Sequence, residues 1–446
     1  MPSTREIVRS WIELQERGLP RSVLTHGGLL VHNGLAAASV GMRHPALSAM
    51  VATSPRVEGG IAPPWGGRTT GAAEAAGILA GAISIDAFDD YDVATLIHPT
   101  TSVLGAALPL AASLGLDGRR TLSAFALGCE AALRVGDALQ PGHYARGWHV
   151  TATTGYVGAA VASGLLLGLG EDALVGCLSV AVAQVGGTRA LLTAEARAVN
   201  PARAAATGVR AALTAAAGPG PARGAATDPL AGLIASFGSE PDRKAAAAHR
   251  ALGQTWRVLD VHGKAFPCGL LCFPAVRAAL RAASALRAGE HATTVSVRVS
   301  PNTAEVTDRP HPLDASTAAL STQHAVACSL LFGRLGLEHY TEALVGAGPV
   351  AAMRKAVRVV SDRGLLDDRA RITVSTSTGR TLRFEGLPAA PPQSLEHRRN
   401  LRDKAAACLR SVGADPAAIA RATDEFEHGG SSSALLAACG RPDVTA

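Results

Sequence analysis

Aromatic residues are scarce in this 446-residue chain, at 4%, and four of its 42 basic residues are lysines: Lys244, Lys264, Lys355 and Lys404. A core short of rings must be closed by small side chains and close backbone approach. The 48% hydrophobic content is rich in Ala, the strongest helix former and a weak strand former, so composition favours a mainly α protein over a β-sandwich. The length allows a large core and two or three domains. No CxxC pair occurs among the seven scattered cysteines, and an odd number without pairing pattern fits a reducing compartment. The N-terminal MPSTREIVRSWIELQERGLP lacks an apolar signal core, so a cytoplasmic location is expected. No GxxxxGK[ST], strand-linked GxGxxG or GxSxG motif is present, which removes phosphate-loop, dinucleotide and α/β-hydrolase readings.

The net charge of +6 has no basic stripe with interleaved aromatics, so no nucleic acid is expected. A mild basic excess suits a small anionic substrate, and drift toward Arg gives the same number. One stretch, Val150 to Gly170, is uncharged for 21 residues and long enough to span a bilayer. Its Ala, Gly and Thr content reads instead as a buried core helix, and no membrane contact is expected.

Up to about residue 212 the chain reads as successive helices broken at Gly or Pro. They include Arg5–Glu16, Pro45–Ala52, Thr70–Ala87, Leu104–Leu114, Leu122–Leu139, Thr154–Leu167 and Ala173–Gln184. Ala215 to Gly232 reads as a loop. After Pro267 the period changes: Thr293–Ser300 alternates, with Val295, Val297 and Val299 on one face. Arg371–Ser375 and Arg380–Glu385 flank Thr378–Gly379 as a hairpin, and helices at Ser316–Gly333 and Val350–Val360 lie between. The organisation is a large all-helical domain, 1–266 plus 394–446, and a smaller α+β lid, 267–393.

Three clusters set titratable groups in apolar surroundings. Asp86, Asp89, Asp90 and Asp92 precede His98–Pro99; four carboxylates so close must be solvated or paired with cations, and helix capping is the bland alternative. Proline after His98 keeps that residue extended and aims its ring. The second cluster, His143-Tyr144-Ala-Arg146-Gly-Trp148-His149, precedes the uncharged helix. At a helix start His149 faces the positive dipole end, which favours neutral imidazole and a general base. Its two histidines, six apart, suit no common zinc spacing, so no metal is expected. The third is Lys264-Ala-Phe-Pro-Cys268, where a lysine at a domain junction holds a carboxylate or serves as a base; a surface lysine beside a turn is the alternative.

In order and separation these clusters resemble the MmgE/PrpD family. Asp89, Asp90, His98 and Pro99 resemble its DFDD…HP stretch, HYARGWHVTATTG (His143–Gly155) its HYxRGWHPTGTxG, and KAFPC (Lys264–Cys268) its KPYPC. Gly186–Gly208 echoes its lysine–histidine helix region and Leu320–Val326 its FSxxYAVA segment, so the resemblance runs from about residue 5 to 410. It implies a helical domain built from both chain ends, an α+β lid, a homodimer, no cofactor, and bond rearrangement next to a carboxylate: dehydration of 2-methylcitrate, decarboxylation of cis-aconitate or epimerisation of iminodisuccinate.

On this resemblance His98, His149 and Lys264 occupy active-site positions unchanged, with His149 as proton carrier. Ala87 stands at the first Asp of DFDD, Tyr91 at the following Thr, Arg197 at the helix lysine, Asn200 at the histidine three later and His324 at the lid tyrosine. The catalytic set is therefore His98, His149, Lys264 and His324; Arg197, Asp90, Tyr91, Tyr144 and Asn200 surround the substrate. The leading expectation is a lyase, most simply a hydro-lyase, on a small polycarboxylate. An epimerase, isomerase or decarboxylase of the same fold, and a non-catalytic dimeric binding protein, are the alternatives.

Overall fold

The computed structural model describes residues 2–64, 69–191, 195–218, 228–238 and 251–440. Eleven helices come before residue 239 among these: α1 Thr4–Arg17, α2 Arg21–Gly41, α3 Pro45–Thr53, α4 Ala72–Ser84, α5 Pro99–Ser113, α6 Gly118–Leu139, α7 Gly142–Ala145, α8 Val150–Leu166, α9 Glu171–Val182, α10 Val199–Ala216 and α11 Pro229–Phe237. Their starts follow local chemistry. Ser3 and Glu6 form a reciprocal capping box on α1, Asp117 accepts the Arg120 N–H at the head of α6, and proline opens α3, α5 and α11. The segment expected as a loop, Ala215 to Gly232, begins inside α10 and ends inside α11; its residues 219–227 lie outside the described residues.

Every residue of α8, the uncharged stretch, is buried, and α8 packs on α5, α6, α9 and α10. No described helix is long and apolar enough to cross a membrane. Small side chains close this core, as the shortage of rings requires. Where α6 crosses α8, a Cβ on Gly128 would sit 2.6 Å from the Gly158 carbonyl oxygen, and one on Gly158 2.7 Å from that of Gly128. Alanine at either position overpacks the crossing, a cost of about 1–3 kcal/mol.

The main core draws on residues 7–261 and 405–439, the second figure coming from the C-terminal helices Leu395–Ser411, Pro416–Glu427 and Ser432–Ala438. A separate core gathers around a four-stranded sheet of β3 Ala292–Val299, β4 Val357–Ser361, β5 Ala370–Thr376 and β6 Thr381–Gly386, in order β4-β3-β5-β6. Val295, Val297 and Val299 are its buried face, and β5–β6 is an antiparallel hairpin. Two expectations need correcting. The helix placed over Val350–Val360 stops at Ala356, and residues 357–361 pair in parallel with β3, as their β-branched valines prefer. The helix placed over Ser316–Gly333 is two, Ala315–Ala318 and Thr322–Phe332, because Ser321 caps the second by accepting the His324 N–H.

Two further strands, each of two residues, were not foreseen. Strand β1, Asp90–Tyr91, pairs antiparallel with β2, His262–Gly263, in the register Asp90↔Gly263 and Tyr91↔His262. This ladder joins the aspartate cluster to the Lys264 segment across 173 positions of sequence.

Candidate active site

A cavity of about 520 Å³ lies between the helical core and the sheet-bearing unit. His98, His149, Lys264, Arg197 and Tyr144 line it from the helical side, with Asp89 and Arg189; Asn302, Glu305, Arg309 and Leu320 line it from the other. A larger cleft of about 1100 Å³ at the far end of α6 and α8 gathers none of the residues singled out in the sequence.

The β1–β2 ladder sets the floor. Beside it the Lys264 N–H donates to the Asp89 carbonyl at 3.0 Å, and the Lys264 ammonium returns to the Asp89 carboxylate at 2.8 Å. Both side chains are buried, Lys264 at 4% exposure, so the surface-lysine alternative is wrong. Asp89 also accepts from Thr101 at 2.9 Å and lies 3.6 Å from His98 Nδ1. Burial alone would raise the Asp89 carboxyl; the Lys264 ammonium outweighs it and holds the carboxylate ionised. Of the other aspartates, Asp92 is paired with Arg257 at 3.1 Å and Asp86 lies in the field of Arg197. Asp89, Asp90 and His98 bring ligand atoms within 4.8 Å of one another, a spacing that a metal ion could use. The cation already seated on that carboxylate is the ammonium of Lys264.

His98 stands at the head of α5, held out of helical geometry (φ −107°, ψ 79°) by the proline that follows. Its backbone N–H donates to Thr151 Oγ1 at 3.1 Å, and ring Nδ1 meets the Asp90 carbonyl oxygen. Nδ1 thus faces only acceptors, a carbonyl and a carboxylate, so it carries the proton and Nε2 keeps its lone pair. Burial first, then Lys264, lowers the His98 pKa, which keeps the ring neutral near pH 7.

His149 stands at the head of α8, as expected from its place before the uncharged run, and its N–H donates to the Gly187 carbonyl at 3.0 Å. Its pKa is lowered to about 3, with burial as the largest cause. Residues 187–189 run alongside 147–149: Trp148 bridges Thr188, and the Arg189 N–H donates to Gly147. Arg189 lies over the Tyr144 ring at 4.6 Å, in reach of a cation–π contact. His143 is structural; its Nε2 meets Thr153 Oγ1 at 2.9 Å and its ring stacks on Trp148.

Four expected site residues take other places. Asp90 is fully buried beside Asp89, which faces the cavity; one Asp90 oxygen caps α5 by accepting the Thr100 N–H, so the capping reading holds for this residue. Burial and the neighbouring Asp89 raise the Asp90 pKa. Tyr91 does not line the cavity; its ring stacks on His262 and packs edge-on against Phe273. His324 is buried in the sheet-bearing unit, with Nε2 at the His339 carbonyl (2.8 Å) and Nδ1 near Arg354 (3.2 Å); Ala319 and Leu320 reach the cavity in its place. Asn200 stands behind His149, its Nδ2 3.3 Å from Nδ1.

Three contributors went unnoticed in the sequence: Asp89 as the partner of Lys264, Arg189, and Lys404. The Lys404 ammonium is buried behind β1, donates to the Phe88 and Asp89 carbonyls, and lies 3.9 Å from the Phe88 ring centre. Burial lowers its pKa to about 8. The signal was available: in a chain that writes nearly all its cations as Arg, two of the four lysines are buried at Asp89.

Family models describe the rest of the likeness. The MmgE/PrpD N-terminal domain matches residues 6–246, and the MmgE/PrpD C-terminal domain matches residues 266–427. Two curated Aspergillus terreus sequences named cis-aconitate decarboxylase are each 30% identical over 196 residues, covering 41% of this chain and 39% of theirs. The match spans about two fifths of the length of those relatives.

Proposed function

The chain belongs to the MmgE/PrpD family, and on that premise we propose that it is a lyase acting beside a carboxylate of a small polycarboxylate, most simply a hydro-lyase. The observation that carries this reading is the meeting of His98, His149, Lys264 and Arg197 in one cavity from four separate segments. In the proposed reaction His98 Nε2 takes a proton from the carbon next to a substrate carboxylate. The electron pair left behind moves toward that carboxylate, whose growing charge faces Lys264 and Arg197. The pair then forms the C=C bond as the neighbouring C–O bond breaks, and the hydroxide departs as water with the proton that His98 took. His98 rather than His149 is the base, which revises the expectation from sequence, because its Nδ1 proton is tied to Asp90 and its Nε2 is the free lone pair.

The relationship to cis-aconitate decarboxylase favours one further reading. There a C–C bond breaks, CO₂ leaves, the electron pair stays on carbon and a proton is delivered to it; the same charges serve. Incubation with a panel of hydroxy and unsaturated di- and tricarboxylates, followed by proton NMR in D₂O, tests the proposal. Loss of water with deuterium exchange at the α-carbon is expected, and CO₂ release identifies the second reading. His98→Ala is expected to cut turnover by about 10²–10⁴-fold, the usual contribution of a general base. No turnover of any polycarboxylate by the native chain overturns the assignment.

A further inference from the structure

The two cavity imidazoles are held by partners of opposite kind. Around His98 Nδ1 stand the Asp90 carbonyl and the Asp89 carboxylate, which only accept. Near His149 Nδ1, at 3.3 Å, stands the amide nitrogen of Asn200, which only donates. The orientation of that amide is set from its other side: Nδ2 also reaches the Thr188 carbonyl oxygen at 3.5 Å, an acceptor that the amide oxygen could not approach. Gly187 makes the arrangement possible. Its φ of +119° favours glycine, and a Cβ there would lie 2.8 Å from the Ala152 methyl and 3.2 Å from the Asn200 amide carbon. The same residue holds the His149 backbone through its carbonyl.

We infer that Asn200 is a positioning residue that fixes His149 as the tautomer with its proton on Nε2, facing the cavity, so that His149 donates a hydrogen bond to a substrate oxygen while His98 presents a lone pair. A neutral ring that accepts at Nδ1 has its one proton at Nε2. Two identical side chains thereby become a donor and an acceptor, each set by the groups around its Nδ1. The oxygen that receives the His149 hydrogen bond belongs to the substrate carboxylate or to the departing hydroxyl, groups on which negative charge grows as the C–H proton is lost. A neutral donor stabilises that charge without giving up its proton.

The assignment of roles rests on the proposed lyase reading, but the tautomer does not, and nitrogen-15 NMR of histidine-labelled full-length protein reads it directly. In the native chain, His149, identified by the signals lost in His149→Gln, is expected to show a pyridine-type Nδ1 and a pyrrole-type Nε2. His98, identified likewise, is expected to show the reverse. Asn200→Asp replaces the donor with an acceptor and is expected to invert His149 alone; Asn200→Gln keeps an amide and is expected to restore the native pattern in part. Where a substrate is found, Asn200→Asp lowers kcat at least 10-fold with KM changed less than 3-fold. A pyrrole-type Nδ1 on native His149, or an unchanged pattern in folded Asn200→Asp, overturns the inference. Absence of turnover in the native chain with the tautomers as stated counts against the lyase reading and leaves this one standing.

Discussion

The two walls of the cavity differ in how firmly their polar groups are held. On the helical side Lys264 is locked to Asp89, His98 to the Asp90 carbonyl, and Arg197 donates to the Ile85 carbonyl; Lys264, Asp89 and His149 are almost wholly buried. On the side of the sheet-bearing unit Asn302, Glu305, Arg309 and Asp367 are exposed, and their bonds lie at the surface, such as Arg309 Nε to the Val306 carbonyl at 3.1 Å or Asn302 to Asp367. Charges buried in pairs are costly to disturb, whereas exposed ones contribute little to stability. The first wall is therefore suited to fixed chemistry, and the second can change its side chains, and with them the substrate, without endangering the fold.

The strongest way to break this contrast is Lys264→Ala. It leaves Asp89 buried without its cation and is expected to lower stability by about 3–5 kcal/mol as well as abolish turnover. Denaturant unfolding separates the two losses: the double variant Lys264→Met with Asp89→Asn, which removes both charges, should regain most of the stability and none of the turnover. Lys404→Met comes next. It strips a donor from two buried carbonyls behind β1, an expected loss of about 1–3 kcal/mol in the same assay.

Acidification sharpens the comparison further. Burial lowers the pKa of His149 to about 3 and of His26, His32, His143, His262, His324 and His397 to about 4. Their folded values lie below the unfolded value near 6.5, so the unfolded chain binds more protons between these limits. The stability they contribute is complete above about 6.5 and falls as pH drops toward 4, by about 1.4 kcal/mol per unit for each ring that stays neutral until the chain opens. Melting temperatures from pH 7 to pH 4.5 should fall steeply; a flat profile contradicts the burial of these rings. The smallest effect belongs to the wall formed by the sheet-bearing unit. Arg309→Ala and Glu305→Gln should leave stability within about 0.5 kcal/mol of native while altering KM among polycarboxylates more than kcat.

Much of this was readable before any coordinates. Helix starts were legible where side chains cap them, as at Ser3, and His149 could be placed at a helix head because an uncharged run follows it. The meeting of the three clusters rested on resemblance, since no local rule connects residues 90 and 263. A ladder two residues long has no periodicity to detect, and β4 was absorbed into the preceding helix because a five-residue run is too short for its β-branched valines to outweigh the helical spacing before it. Tyr91 and His324 were misplaced for a related reason: motif position gives a residue's address in the chain, while the direction of its side chain depends on neighbours, His262 and Phe273 for the first and His339 and Arg354 for the second.

The short β1–β2 ladder also bears on biosynthesis. Asp89 emerges from the ribosome long before the lysine at 264 that neutralises it, and longer still before the one at 404 that braces its backbone. Burying that carboxylate without its cation is costly, so the floor of the cavity is expected to close only once residue 264 is available. A chain interrupted before residue 404 should retain helices yet possess no working centre, which makes completeness of translation a precondition of chemistry.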